Sequence, residues 1–228
     1  MILDVVIPAW NEEGTIGKVV GDIDMNLVRQ VVVVDNNSTD RTSEVAKEAG
    51  AVVEKELKRG YGNACLLGLE RCRKSTPQPD IVAFMDGDYS DYPEQLIEIV
   101  QPIVDSKCDL VIGSRARGKR ERGSMTPQQR FGNWLATRMI RVMYGRKFTD
   151  LGPFRAISWK ALEDIQMQDQ TYGWTVEMQV KIIKKGYDFI EIPVDYRNRG
   201  AGKSKVATTL KGTILAGWKI ITTIIRYS

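Results

Sequence analysis

Five short apolar runs rich in β-branched residues constrain this chain more than any other feature: Val5-Val6-Ile7, Val31-Val32-Val33-Val34, Ala51-Val52-Val53, Ile81 to Met85 and Leu110-Val111-Ile112. None alternates apolar with polar residues, and strands buried on both faces read this way. Helical patterns separate them, with Ile16, Val19, Val20 and Ile23 on one helix and Leu66, Leu67 and Leu69 on another. Strand and helix in alternation predict an α/β fold, a doubly wound, Rossmann-like and mostly parallel sheet flanked by helices. The 228 residues suit one domain, or one domain with an appendage, and can bury a substantial core.

The pattern changes after Gly113. Residues 114–123 are polar and flanked by glycine, and carry Arg115, Arg117, Lys119, Arg120 and Arg122, which reads as a mobile basic loop. A helix is predicted over 126–144, with Pro127 in its first turn, Phe131, Trp134, Leu135, Ile140 and Met143 as its apolar positions, and Arg130, Arg138 and Arg141 as its basic ones. A strand near 154–157, helices near 159–165 and 174–185, and a strand over 189–193 closed by Pro193 follow. Val206, Leu210, Ile214, Trp218, Ile221 and Ile225 recur at helical spacing, so 206–228 should form a C-terminal amphipathic helix. Three fates stand open for it: packing on the core, lying in a membrane interface, or burying its Trp218 stripe against a second copy in a homo-oligomer.

Composition removes several function classes. The chain has no histidine, which excludes Ser-His-Asp hydrolysis and most zinc chemistry. Lys plus Arg exceed Asp plus Glu by 33 to 29, too small an excess to imply nucleic acid. Cys65, Cys72 and Cys108 lack metal-site spacing and fit a reducing compartment. The amino terminus has no secretory pattern, and no apolar run approaches the ~18 to 20 residues that span a bilayer. The expectation is a cytoplasmic protein, either free or peripheral on the inner face of the membrane.

The chemistry-bearing residues fall where strands end. Asp86-Gly87-Asp88 follows the Ile81 to Met85 run, at the carboxyl edge where open α/β sheets bind ligands. Two hard oxygen ligands there can share one divalent cation with a diphosphate, or can be a solvated turn. The first strand runs into Pro8-Ala9-Trp10-Asn11-Glu12 and the second ends at Asp35, a residue suited to accept hydrogen bonds from a ribose or a base. Asp40 is read as a helix cap. A Gly-x-Gly-x-x-Gly turn is missing after the first strand, and Gly60-Tyr61-Gly62-Asn63 lacks a phosphate loop's Gly-Lys-Ser/Thr ending, so NAD and Walker-type ATP sites are disfavoured. The basic loop and the glycine-rich stretch with Arg199, Lys203 and Lys205 suit phosphate contact, since guanidinium forks pair bidentately with phosphate oxygens.

Together these residues resemble the family 2 glycosyltransferases with a GT-A fold. The resemblance rests on Pro8 to Glu12, Val34-Asp35 through Thr42, Lys58-Arg59-Gly60-Tyr61-Gly62 and Asp86-Gly87-Asp88. Gly113-Ser114-Arg115, Asp150-Leu151-Gly152-Pro153-Phe154-Arg155 and Gly200-Ala201-Gly202-Lys203-Ser204-Lys205 make it most similar to the dolichyl-phosphate mannose or glucose synthase branch. It implies a GT-A domain over 1–205, with a nucleotide-sugar half (1–113) and an acceptor half (114–205), followed by the helix 206–228. Pro8, Ala9, Trp10, Asn11, Glu12 and Asp35 would hold the nucleoside, and Lys58, Gly60, Gly87, Arg199, Lys203 and Lys205 would complete the donor site. Asp86 and Asp88 would bind Mg²⁺ or Mn²⁺ on the diphosphate of a UDP- or GDP-linked sugar. Arg115 and Arg130 match arginines of that branch and would meet a polyprenyl phosphate acceptor in an inverting displacement that needs no base. Asn36, where many members carry Asp, and Glu177, where the lipid synthases more often carry Gln, depart from the pattern. A hydroxyl acceptor would need a base such as Asp150 or Glu177. A soluble acceptor and a non-catalytic nucleotide-sugar module are the alternatives.

Overall fold

The computed structural model describes residues 1–201 and 210–227. Lys203, Lys205 and Val206 lie outside the described residues, as do the side chains of Leu210 and Ile214. The strands are β1 (Leu3–Ala9), β2 (Gln30–Asp35), β3 (Val52–Lys55), β4 (Ile81–Phe84), β5 (Leu110–Ser114), β6 (Arg155–Ser158) and β7 (Phe189–Pro193). The helices are α1 (Ile16–Gly21), α2 (Thr42–Glu48), α3 (Tyr61–Lys74), α4 (Leu96–Val104), α5 (Pro127–Tyr144), α6 (Trp159–Ile165), α7 (Trp174–Lys185) and α8 (Leu210–Arg226). They form one seven-stranded sheet in the order β3-β2-β1-β4-β6-β5-β7. Every pairing is parallel except those of β6, which runs antiparallel to β4 and β5. The expected mostly parallel α/β sheet is therefore present.

Period-2 alternation divides the strands between two cores. Val6, Val32, Val34, Val82, Phe84, Leu110 and Ile112 face one way, onto residues of α3, α5, α6 and α7. Val5, Ile7, Val31, Val33, Ile81, Ala83 and Val111 face the other, onto residues of α1 and α4. Burial on both sides explains why these strands show no polar alternation. Removing each such Val or Ile from water contributes about 1.5 to 3 kcal/mol before entropy is counted. Helix α4, which the strand-and-helix reading passes over, buries Leu96, Ile99, Val100 and Ile103 at i, i+3, i+4 and i+7.

Helix α5 begins where expected, through a capping box between Thr126 and Gln129, and ends at Gly145, whose φ of 68° suits glycine. Its apolar positions divide between the two sides, Ile140 inward and Phe131, Trp134 and Met143 outward. Ala136, Thr137 and Ile140 are buried, whereas Phe131, Trp134 and Met143 are exposed. The large residues mark the outer stripe because Asn133, Ala136, Thr137, Ile140 and Tyr144 occupy the arc turned to the fold. The described part of α8 packs on the molecule. Thr223 and Ile224 are buried, Tyr144 Oη donates to the Ile224 carbonyl at 3.0 Å, and Lys219 pairs with Asp169 at 3.0 Å. Trp218 and Ile225 remain exposed. No helix among the described residues is long and apolar enough to cross a membrane.

Candidate active site

A cleft of about 490 Å³ opens over the carboxyl ends of β1 and β4. Its walls bring together Pro8, Ala9, Trp10 and Glu12 from the β1 end and Asp86, Gly87 and Asp88 from the β4 end, together with Gly60 and Arg199. Asn36, Arg59, Tyr61, Ala64 and Tyr172 complete the lining, and the motif reading had not singled them out as ligand contacts.

Sheet register sets this convergence, since β1 and β4 run parallel with Val6 opposite Phe84, so both chains leave the sheet on the same side. The turn into α3 fixes the opposite wall. Gly60 has φ of 147°, and a Cβ there would lie 2.1 Å from the Gln170 carbonyl oxygen; at Gly62 it would lie 1.9 Å from that of Asp169. Only glycine lets this turn press against the 169–171 loop, which also delivers Tyr172. Asn36 holds the same turn. Its Nδ2 donates to the carbonyls of Glu56 (3.3 Å) and Lys58 (2.9 Å), and its Oδ1 accepts from Gly60 N at 2.8 Å. An aspartate could not make the two donations, which gives this departure from the family pattern a structural reason. Arg59 lies 3.7 Å over the Trp10 ring.

Acidic groups crowd the floor. Burial and the neighbouring Asp88 charge push the Asp86 carboxyl up to about 7, against the pull of Arg115 and Arg199. Burial and the charges of Asp86 and Asp88 likewise push Asp91 well above the carboxylate range. Asp91 Oδ2 accepts from Asp86 N at 3.4 Å, while its buried Oδ1 has no hydrogen-bond partner. Asp88 is better satisfied. Its Oδ1 accepts from Ser90 N (2.9 Å), and its Oδ2 meets Arg199 Nη1 at 2.5 Å, while Arg199 Nη2 reaches Glu12 Oε1 at 2.6 Å. Mutually repelling carboxylates, an orphaned Asp91 oxygen and a guanidinium drawn onto Asp88 all fit a hard divalent cation at this floor. Asp86 and Asp88 have the donor chemistry to hold it, and the Asp86-x-Asp88-x-x-Asp91 spacing is the signal by which Asp91 could have been found.

Other sequence-predicted residues stand apart from the cleft lining. Asp35 is buried and accepts from Ser38 N at 2.8 Å and Ser43 Oγ at 2.5 Å. Burial alone would raise its pKa, but those bonds and Lys55 hold it below the usual range. Asn11 Oδ1 accepts from Thr39 N at 2.9 Å, joining the β1 and β2 loops. Asp40 accepts from Thr42 N at 3.0 Å but lies one residue before Arg41, the N-cap of α2, which makes no side-chain capping bond, so the expected cap is not formed. Lys58 is exposed and reaches Gln170 Oε1 at 3.3 Å. Arg130 is exposed on α5.

Asp150 is fully buried, with both oxygens engaged by Arg115: Oδ1 meets Nη2 at 2.7 Å, and Oδ2 meets the backbone N at 2.8 Å and Nε at 3.0 Å. Arg115 also lies 5.0 Å from the centre of the Tyr196 ring. Glu177 is fully buried on α7. It accepts from Gln168 N (2.9 Å), Asp169 N (2.7 Å) and Tyr227 Oη (2.9 Å) and pairs with Lys181 at 2.7 Å. These contacts clamp the 168–169 segment and α8 together, and Glu177 does not line the cleft.

Comparison with known proteins gives the family and the fold. The Glycosyl transferase family 2 model matches residues 4–166. An uncharacterized glycosyltransferase of Mycobacterium tuberculosis is 34% identical over 221 residues, 95% of this chain and 96% of its own length. A dolichyl-phosphate hexose transferase of Haloferax volcanii is 31% identical over 206 residues, 90% of this chain and 86% of its own. Among solved structures, glucosyl-3-phosphoglycerate synthase of M. tuberculosis, in complex with Mn²⁺, UDP-glucose and phosphoglyceric acid, superposes with a TM-score of 0.77 at 22% identity. That match covers 99% of this chain and 79% of the synthase, and it shows a shared fold.

Proposed function

The chain belongs to glycosyl transferase family 2, and from that premise we propose that it is an inverting, metal-dependent enzyme moving a hexose from a UDP- or GDP-linked donor to a polyprenyl phosphate. A Mg²⁺ or Mn²⁺ ion held by Asp86 and Asp88 would neutralise charge on the departing nucleoside diphosphate. Trp10, with Arg59 across its ring, lines the cleft and would wall the nucleoside. Arg199, in contact with Asp88, would meet the diphosphate. The work takes place on the cytoplasmic face of the membrane.

One observation carries the choice of acceptor. The two carboxylates put forward as bases for a hydroxyl are already committed, Asp150 to Arg115 and Glu177 to its four-way clamp. A hydroxyl nucleophile needs a base to take its proton, whereas a phosphate oxygen arrives anionic. Arg115, oriented by Asp150, is suited to steer that anion. The relative named as a dolichyl-phosphate hexose transferase supports the reading. A soluble acceptor is the second reading, favoured by the fold match to a synthase crystallised with phosphoglyceric acid.

The test is transfer of labelled sugar from UDP- and GDP-hexoses in the presence of Mn²⁺, to a short-chain polyprenyl phosphate or to phosphoglyceric acid. The expected result is an alkali-stable or acid-labile prenyl product lost on chelation, with Asp88→Asn lowering the rate at least roughly a hundredfold, the scale on which one electrostatic contact to a transition state acts. Product on the soluble acceptor alone overturns the lipid reading. An unchanged rate in Asp88→Asn overturns the metal assignment.

A further inference from the structure

The outer stripe of α5 is the feature that this function does not use. Phe131 is 62% exposed, Trp134 58% and Val142 73%, and at 100° per residue they share one arc of the helix with Arg130, Arg138 and Arg141. The Phe131 and Trp134 rings lie 5.8 Å apart, forming a single apolar knob. Helix α5 contains no Asp or Glu, and Arg146 and Lys147 follow directly after its C-cap. A face that combines exposed aromatic rings with arginine, and carries no acid, is complementary to a surface that is apolar beneath and anionic above.

We propose that this stripe of α5 docks the enzyme onto a bilayer surface carrying anionic phospholipid, with Phe131 and Trp134 inserted among the lipids and Arg138 and Arg141 paired to headgroup phosphates. The inference rests on the polyprenyl phosphate reading only for its purpose, since such an acceptor is held in a membrane. Position supports it. Asn133, between the two aromatic residues, turns inward; its Nδ2 donates to the Thr149 carbonyl at 3.0 Å, and its Oδ1 accepts from Leu151 N at 2.8 Å. The helix that bears the stripe therefore braces both flanks of Asp150, which in turn holds Arg115. The stripe and the brace on Asp150 thus occupy opposite sides of one helix. The described part of helix α8, for which a membrane interface is one of three open fates, buries Thr223 and Ile224 against the fold and leaves Trp218 and Ile225 exposed.

The experiment uses the full chain and sedimentation with vesicles of phosphatidylcholine, with and without phosphatidylglycerol. The wild type should bind the phosphatidylglycerol vesicles, lose binding in high salt, and show a blue-shifted tryptophan emission that disappears in Trp134→Ser. Phe131→Ser/Trp134→Ser and Arg138→Glu/Arg141→Glu should each weaken binding at least roughly tenfold while leaving transfer to a short-chain, water-soluble prenyl phosphate unchanged. Absence of vesicle binding by the wild type, or unchanged binding by both double variants, overturns the docking surface. So does a self-association that the Phe131→Ser/Trp134→Ser pair abolishes, because a second copy would then be the occupant. Vesicle binding without prenyl phosphate transfer overturns the acceptor reading and leaves the docking surface standing. Transfer to the soluble prenyl phosphate without vesicle binding does the reverse.

Discussion

Arg199 holds two carboxylates at once, Asp88 at 2.5 Å and Glu12 at 2.6 Å, and the first of these has the donor chemistry for a metal. A guanidinium and a divalent cation seeking the same oxygen compete, so the two occupancies are thermodynamically linked. Arg199→Ala should therefore bind Mn²⁺ alone more tightly than the wild type, by about tenfold or roughly 1.4 kcal/mol, while binding the nucleotide sugar more weakly. Electron paramagnetic resonance titration of free Mn²⁺, with no donor present, reads the first effect directly. An unchanged Mn²⁺ affinity would mean that the Arg199 contact is lost or gained without reference to the metal. Glu177 poses the opposite question, whether a buried acid performs chemistry or holds structure. Glu177→Gln leaves an amide facing the Gln168 and Asp169 N–H groups and strands Lys181, so it should cost about 2 to 4 kcal/mol of stability. The folded protein should keep its kcat. Thermal unfolding and steady-state kinetics on one preparation separate the cases, because a base would lower kcat and leave Tm in place.

At the level of elements, the ends of the strands were readable and the faces of the helices less so. The runs at Val5, Val31, Ile81 and Leu110 became β1, β2, β4 and β5 because strands buried on both sides need apolar residues at every position. The helices over 159–165 and 174–185 and the strand over 189–193 match their expected limits. Helix α5 shows why the rest was hidden. Phe131 and Trp134 are apolar yet exposed, and much of the contact with the fold is made through Asn133, Ala136 and Thr137, whose small or polar side chains carry little signal of burial. The cleft divides in the same way. Asp86-Gly87-Asp88 and Pro8 to Glu12 are local motifs, whereas Tyr172 enters through a loop that packs on Gly60 and Gly62 across more than a hundred residues of sequence. Asn36 ties that distant turn to β2, and its substitution tests the element as a unit. Asn36→Asp exchanges two donated bonds for a carboxylate facing the Glu56 and Lys58 carbonyls. The expected cost is about 1 to 3 kcal/mol, and it should appear first as local opening of the 58–63 turn, with KM for the donor raised and kcat little changed. Amide hydrogen exchange at Gly60 and Asn63 checks the opening, and unaltered protection there would refute the linkage.

Across the whole molecule, the stretches before and after Gly113 contribute to one sheet. Strand β6, late in the sequence, lies between β4 and β5, with Ala156 opposite both Ala83 and Val111. Strand β7 then extends the sheet beyond β5, pairing Ile190 with Val111. The boundary expected between residues 113 and 114 falls inside β5, so it does not separate two sheets. Without β6, the β4 edge would present unpaired backbone groups along Ile81 to Phe84, and the side chains of Val82 and Phe84 would lose Ile157, Trp174 and the rest of the core they share. Chains of this length often unfold through intermediates, so cooperativity is informative here. In urea, the far-ultraviolet circular dichroism and the tryptophan fluorescence should follow one coincident transition. Tryptophan reports on both halves, because Trp10 lies in the first and Trp134, Trp159 and Trp174 in the second. A fragment comprising residues 1–113 should lack that transition and bind no nucleotide sugar. Two separated transitions, or a folded donor-binding fragment, would show that the sheet is assembled from independent parts, with β6 docking onto an edge already stable without it.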